Sequence, residues 1–288
     1  MSASRRTLAI LIASVAAVSA CSSPVSPSAT GEDAGEDSRH GELTGAPDWN
    51  TAPTSIAAIG DSISTGFDAC DVLADCPEVS WATGTEADVE SLASRLGVEE
   101  SWNEAVAGAL MAELPAQAEQ AAAYEPELMT VMAGANDACV RDIELMTEVD
   151  TFREDFDETL SVIRENAPDT QIFVASIPDL KRLWQAGREN SAARMVWQFG
   201  VCPSMLKDAA SDAPDAQERR DAVEARVDEF NEVLREVCAE DDNCRFDDGA
   251  INDYPFTEDE LSDWDWFHPS RAGQRVLAEL AYEVVTRD

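Results

Sequence analysis

The sequence predicts an α/β fold built on a parallel sheet, and three observations carry that expectation. Three short apolar runs, Ile56–Ile59, Leu128–Ala133 and Gln171–Ile177, each stop at turn chemistry: Gly60-Asp61-Ser62, Gly134-Ala135-Asn136-Asp137 and Pro178-Asp179. Runs of this length bounded by such residues fit buried strands. Stretches with helical apolar spacing lie between them, and strands alternating with helices wind a parallel sheet through right-handed crossovers. With 288 residues and 44% hydrophobic content, the chain can bury one large core.

Residues 1–20 read as an export signal. Arg5-Arg6 precedes an apolar stretch from Leu8 to Ala20, which is too short for a comfortable membrane span. Val18-Ser19-Ala20-Cys21 resembles a bacterial lipobox, in which cleavage before the cysteine accompanies its lipidation. Residues 21–52 are rich in Ser, Pro, Gly, Thr, Glu and Asp and cannot bury enough apolar area to offset chain entropy, so a disordered tether is expected there. His40 falls in this tether. The folded domain is expected over residues 53–288.

Within that domain the first strand delivers Ser62 at its carboxyl end, where open α/β sheets place their ligands. A loop with Cys70 and Cys76 follows. Thr85–Leu96 has a capping signal, apolar residues at Val89, Leu92, Ala93 and Leu96, and a stop at Gly97, which predicts a helix. Trp102–Ala109 predicts a short strand and turn ending at Gly108, and Leu114–Tyr124 another helix. Phe152, Phe156, Leu160 and Ile163 mark one helical face, with Pro168 just past its end. Residues 181–214, with Trp184, Trp197, Phe199 and Cys202-Pro203, fit either a pocket-shaping insertion or a long packed connection. Val223, Val227, Phe230, Leu234 and Val237 predict a core-facing helix, and Ala272–Val285 the last one.

Charge excludes one class of partner. Fifty-eight acidic residues against 20 Lys and Arg give a net charge of -38 and a pI near 4.1. A phosphate backbone would be repelled, so nucleic acid is not expected. Setting Cys21 aside, Cys70, Cys76, Cys139, Cys202, Cys238 and Cys244 suit disulfides in an exported chain. Connectivity is not deducible from spacing; the local pairs Cys70–Cys76 and Cys238–Cys244, leaving Cys139 with Cys202, are the expectation. A zinc site has no close Cys-x-x-Cys to support it. Asp241-Asp242-Asn243 and Asp247-Asp248-Gly249 lack the ligand alternation of a calcium loop, and no phosphate or dinucleotide loop occurs. No metal or organic cofactor is expected.

Four blocks carry the chemistry: Gly60-Asp61-Ser62-Ile63, Asn103-Glu104-Ala105-Val106-Ala107-Gly108, Gly134-Ala135-Asn136-Asp137 and Asp265-Trp266-Phe267-His268-Pro269. In order and residue type the set resembles the conserved blocks of the GDSL, or SGNH, hydrolases, from about Pro53 to the C-terminus. The resemblance implies a three-layer α/β/α, flavodoxin-like domain. Ser62 is then the nucleophile, His268 its base and Asp265 the group that orients the imidazole; some family members use a backbone carbonyl there instead. The oxyanion would be met by the N–H of Ser62, the N–H of Gly108 and the amide of Asn136. These residue types suit the task, since glycine lets backbone approach closely and an amide donates without charge. Ser64, where a second glycine would stand, argues against the Gly-x-Ser-x-Gly elbow.

The expected protein is therefore an extracellular, surface-bound, lipid-anchored ester hydrolase, monomeric, acting on a small-molecule, lipid or polysaccharide ester. The alternatives are a carbohydrate O-acetyl esterase, a lipase or phospholipase, and a non-catalytic surface lipoprotein of the same fold.

Overall fold

Among the described residues the chain winds one five-stranded sheet. Its strands are β1 (Ser55–Gly60), β2 (Glu100–Asn103), β3 (Leu128–Met132), β4 (Gln171–Val174) and β5 (Cys244–Phe246), in spatial order β2-β1-β3-β4-β5 with every pairing parallel. The computed structural model describes residues 49–287, all within the unit Thr44–Asp288. The expected signal, Cys21 and the tether as far as residue 48 lie outside the described residues.

Helices cover both faces. α1 (Ser62–Thr65) and α2 (Leu92–Leu96) follow β1; α3 (Leu114–Ala122) precedes β3; α4 (Ala135–Ala138) and α5 (Val149–Asn166) follow it. α6 (Leu180–Gly187), α7 (Ser191–Trp197), α8 (Pro203–Leu206) and α9 (Pro214–Cys238) separate β4 from β5, and α10 (Arg271–Val285) closes the chain. α3, α5 and α9 pack side by side as one layer, while α10 packs on α2 in the other. The order is that of the three-layer flavodoxin-like class, whose crevice opens at the carboxyl ends of the first and third strands. β1 and β3 end there in Gly60 and Met132.

Local chemistry explains the main elements. Ile56 to Gly60 and all of β3 are buried on both faces, as parallel strands under two helical layers must be. On α5, Phe152, Phe156, Leu160 and Ile163 are buried as their spacing predicts, and Phe152 stacks on Phe230 of α9 with ring centroids 4.0 Å apart. Gly60, at φ +149°, is obligatory: a Cβ there would lie 2.2 Å from the carbonyl oxygen of Met132.

Several expectations need correction. The helix predicted over Thr85–Leu96 exists only as its last turn, because Ser91 rather than Thr85 is the cap, accepting the N–H of Ser94 at 3.2 Å. Before it the chain turns back at Glu90, φ +50°, and the Ser91 hydroxyl donates to the Gly84 carbonyl at 2.5 Å. β2 begins at Glu100, and β4 ends at Val174 rather than Ile177. β5 was not anticipated; three half-buried residues at a sheet edge leave no alternation to read. The folded unit also starts ahead of the expected boundary at residue 53. Trp49 donates its indole N–H to the Val285 carbonyl at 2.8 Å, under the Arg245 guanidinium at 4.3 Å, and the Asn50 N–H reaches Gln171 at 3.1 Å.

The three disulfides are Cys70–Cys76, Cys139–Cys202 and Cys238–Cys244, as expected. Cys139–Cys202 matters most here, since it ties the end of α4 to the segment between α7 and α8. Residues 181–214, which the sequence leaves with two interpretations, shape a pocket through Leu183, Val196, Phe199 and Cys202.

Candidate active site

The site assembles where β1 and β3 end. Asp61 caps α1 by accepting the N–H of Ile63 at 2.9 Å, which turns the chain sharply and sets Ser62 at the first helical position. Gln117 of α3 grips the end of β1 through both its amide atoms, donating to the Gly60 carbonyl at 3.0 Å and accepting its N–H at 2.8 Å. From α10, Gln274 donates to the Ile63 carbonyl at 2.9 Å and accepts the Trp81 N–H at 2.8 Å. These glutamines anchor the serine turn from two helices; nothing in their local sequence distinguishes them.

His268 reaches the serine from the loop ahead of α10. Its Nε2 stands 2.9 Å from Ser62 Oγ, and its Nδ1 stands 2.5 Å from Asp265 Oδ2. The other oxygen of Asp265 accepts the N–H of Phe267 at 2.9 Å and that of His268 at 3.0 Å. A carboxylate, not a backbone carbonyl, therefore faces Nδ1. The loop is itself braced: the Trp197 indole donates to the Asp265 carbonyl at 2.8 Å, and Ser262 N–H to the His268 carbonyl at 2.8 Å.

Electrostatics follow from this burial. Burial pushes the His268 pKa down, but the hydrogen bond and charge of Asp265 outweigh it, so the imidazole is more basic than usual. Burial pushes Asp265 up, but the contact with His268 and the two backbone N–H groups hold it below the ordinary carboxylate range. Asp61, fully enclosed, is pushed up to about 6 by desolvation.

Asn136, in the first turn of α4, donates its amide to the Ala109 carbonyl at 3.0 Å. Its neighbour Asp137 accepts the Met111 N–H at 3.0 Å and the Thr147 hydroxyl at 2.8 Å. The 108–111 turn is thus stitched to α4, and Gly108, at φ +85°, immediately precedes the carbonyl that Asn136 holds. Asn103, which opens the second block, is a hub, donating to the Ser64 carbonyl at 2.8 Å and to Thr83 Oγ1 at 3.0 Å. Ser62, Asn136, Asp265 and His268 all line one cavity of about 550 Å³; Gly108 is not among its lining residues.

A family model described as GDSL-like lipase/acylhydrolase matches residues 58–276. The chain belongs to this family. It is a carboxylic ester hydrolase of that family. No curated protein matches the chain. Similar solved structures include an α/β hydrolase enzyme from the metagenome of Lake Arreo, Spain, at 19% identity and TM-score 0.51, covering 81% of this chain and 94% of that one. A phospholipase A1 from Streptomyces albidoflavus has 18% identity and TM-score 0.50, covering 80% and 98%. An acetyl xylan esterase has 12% identity and TM-score 0.50, with the same coverages of 80% and 98%. At these identities the likeness carries the fold.

Among the described residues, two groups have the composition of a metal site. In one, Cys70 and Cys76 are bonded to each other beside Glu78; in the other, Asp68, Asp265 and His268 come together. The second is the hydrogen-bonded site itself, and Asp68 is the member that sequence reasoning missed.

Proposed function

We propose that the protein is an exported serine hydrolase that cleaves esters with an apolar acyl chain through an acyl-enzyme. The Ser62 hydroxyl attacks the ester carbonyl while His268 Nε2 takes its proton. The carbonyl oxygen gathers negative charge, for which the N–H of Ser62, the N–H of Gly108 and the Asn136 amide are the candidate donors. Collapse of the tetrahedral state breaks the bond to the alcohol, which leaves with the proton from His268. Water then attacks the acyl carbon, giving its proton to His268, and the carboxylic acid departs as Ser62 recovers its hydrogen. Asp265 holds the ring in one orientation and stabilises the imidazolium between steps.

The observation that carries the substrate class is the cavity. Beyond Ser62, Asp68, Asn136, Asp265 and His268 its wall is apolar, including Leu183, Val196, Phe256 and Phe267. Its rim presents apolar side chains to water: Val72 is 50%, Leu73 79%, Phe199 87% and Trp264 45% exposed. An acyl chain fits this lining better than a sugar, which needs polar partners.

A series of p-nitrophenyl esters from acetate to dodecanoate tests it. Burying each added methylene contributes about 0.8 kcal/mol, so kcat/KM is expected to climb about fourfold per methylene until the cavity is full. A maximum at acetate would overturn the apolar-acyl assignment in favour of a carbohydrate O-acetyl esterase. Absence of turnover on every ester would favour a binding module.

Export and anchoring rest on the lipobox-like Val18-Ser19-Ala20-Cys21, outside the described residues. Cys21→Ser is expected to move the protein from the membrane fraction into the medium or to block its processing. Mass spectrometry of the mature protein with an unmodified N-terminus would count against lipidation.

A further inference from the structure

Beside Asp265 stands a second carboxyl that the reaction above does not use. Oxygens of Asp68 and Asp265 and a ring nitrogen of His268 lie within 4.8 Å of one another. Asp68 is only 2% exposed, so two acids meet where water screens them poorly. Two ionised carboxylates in such a place repel, and neighbouring carboxyls settle the conflict by sharing one proton. Asp265 is already surrounded by donors, namely His268 Nδ1 and two backbone N–H groups. These favour its charge, which leaves the proton to Asp68.

The loop around Asp68 is built to hold it there. Its backbone is left-handed, φ +56°, a conformation unusual outside glycine. Its N–H donates to the Ala74 carbonyl at 3.0 Å, its own carbonyl accepts the Ser262 hydroxyl at 2.7 Å, and its carboxyl accepts the Leu73 N–H. Cys70–Cys76 closes the loop. Strained residues held by several independent contacts cluster at functional sites. An asparagine could accept the Leu73 N–H equally well without burying an acid against another acid, so capping that amide does not account for the carboxyl.

We propose that Asp68 is a positioning residue of the active site, its carboxyl donating a hydrogen bond to Asp265 and so fixing the carboxylate that holds His268. This rests on the serine-hydrolase mechanism above. Burial and the Asp265 charge both push the Asp68 carboxyl up, which keeps it a donor. The ionisable groups facing Asp68 are Asp265 and His268; Asp61 faces His268 from the end of β1, and Asp259, Asp263 and Arg271 share a surface cleft with Asp68. Once Asp68 ionises the donor is lost, and a like charge opposes Asp265 while drawing a proton onto His268.

The test compares wild type, Asp68→Ala and Asp68→Asn in kcat and KM against pH on p-nitrophenyl butyrate. The downfield proton resonance of His268 Nδ1–H is followed alongside. Asp68→Ala is expected to lose at least roughly tenfold in kcat with little change in KM, because a misoriented base is costly. Asp68→Asn keeps a donor at every pH, so it recovers most of that loss. Its alkaline limb moves to higher pH, since unlike Asp68 it cannot ionise and lose the donor, and the Nδ1–H resonance shifts in both variants. A capping role for Leu73 would move neither the limb nor the resonance. Asp68→Ala with wild-type turnover and an unmoved resonance overturns the proposal, as does Asp68→Asn no better than Asp68→Ala. Should Asp68→Ala fail to fold, an Asp68→Asn enzyme with the wild-type limb and resonance overturns it alone. A wild type that turns over no ester overturns the hydrolase mechanism itself, whereas variants indistinguishable from an active wild type overturn only the role of Asp68.

Discussion

His268→Ala is expected to lower ester turnover by about five to six orders of magnitude, as severely as Ser62→Ala, with the double variant little worse than either. The non-additivity is the informative part. Ser62 Oγ and His268 Nε2 are 2.9 Å apart, so each group is inert without the other. The chain has one other histidine, His40, which falls outside the described residues. A fluorophosphonate probe should label the wild type at Ser62 and lose its target in Ser62→Ala. The base must be neutral to accept a proton, and its pKa is raised by Asp265. Activity should therefore fall as pH falls through a value above the ordinary imidazole figure of about 6.5. Asp265→Asn removes that support and the carboxylate facing Nδ1, so it should lower kcat by about four orders of magnitude. Wild-type turnover in His268→Ala, or probe attachment at another residue, would remove the triad.

Asn136→Ala is expected to cost about a hundred- to a thousandfold in kcat with little change in KM, the usual consequence of losing one oriented donor to a developing oxyanion. Asn136→Asp should be no better, since a carboxylate of the same shape repels the negative charge it replaces a donor for. Asn136 also holds the Ala109 carbonyl, so part of the loss could come from the loosened 108–111 turn. Thermal melts separate the two contributions. Asp137 independently ties that turn through Met111, so the melting temperature of Asn136→Ala should move little. Normal kcat in Asn136→Ala would take the residue out of the site.

Much of this site was legible because its key contacts are local or sit at strand ends. Asp265 and His268 are three residues apart, so one turn of chain brings carboxylate and ring together wherever the loop lies. Ser62 and Asn136 each follow an apolar run that stops abruptly, and a parallel sheet places all such stops at one edge. The separation of 206 positions between Ser62 and His268 was bridged by family resemblance, not by spacing. Thr85–Leu96 misled because a capping signal and periodic apolar residues also occur in an irregular loop whose apolar side chains are buried by tertiary contact. The edge strand Cys244–Phe246 was invisible because three residues cannot display a period.

The sequence by itself determined the parallel α/β class and the four chemical blocks; the triad candidates came with the family resemblance, and the disulfide pairing that the structure reproduces was an expectation rather than a deduction. The class and the blocks depend on periodicity and on turn chemistry, which are properties of neighbouring residues. Only the tertiary structure decided that residues 181–214 wall an apolar cavity, that Trp49 belongs to the folded unit, and that Gln117 and Gln274 anchor the serine turn. It also decided that Asp68 is buried against Asp265, 197 positions away in the numbering. Desolvation and carboxyl pairing depend on what the fold removes from water, and no pattern along the chain records which distant side chains will share that space.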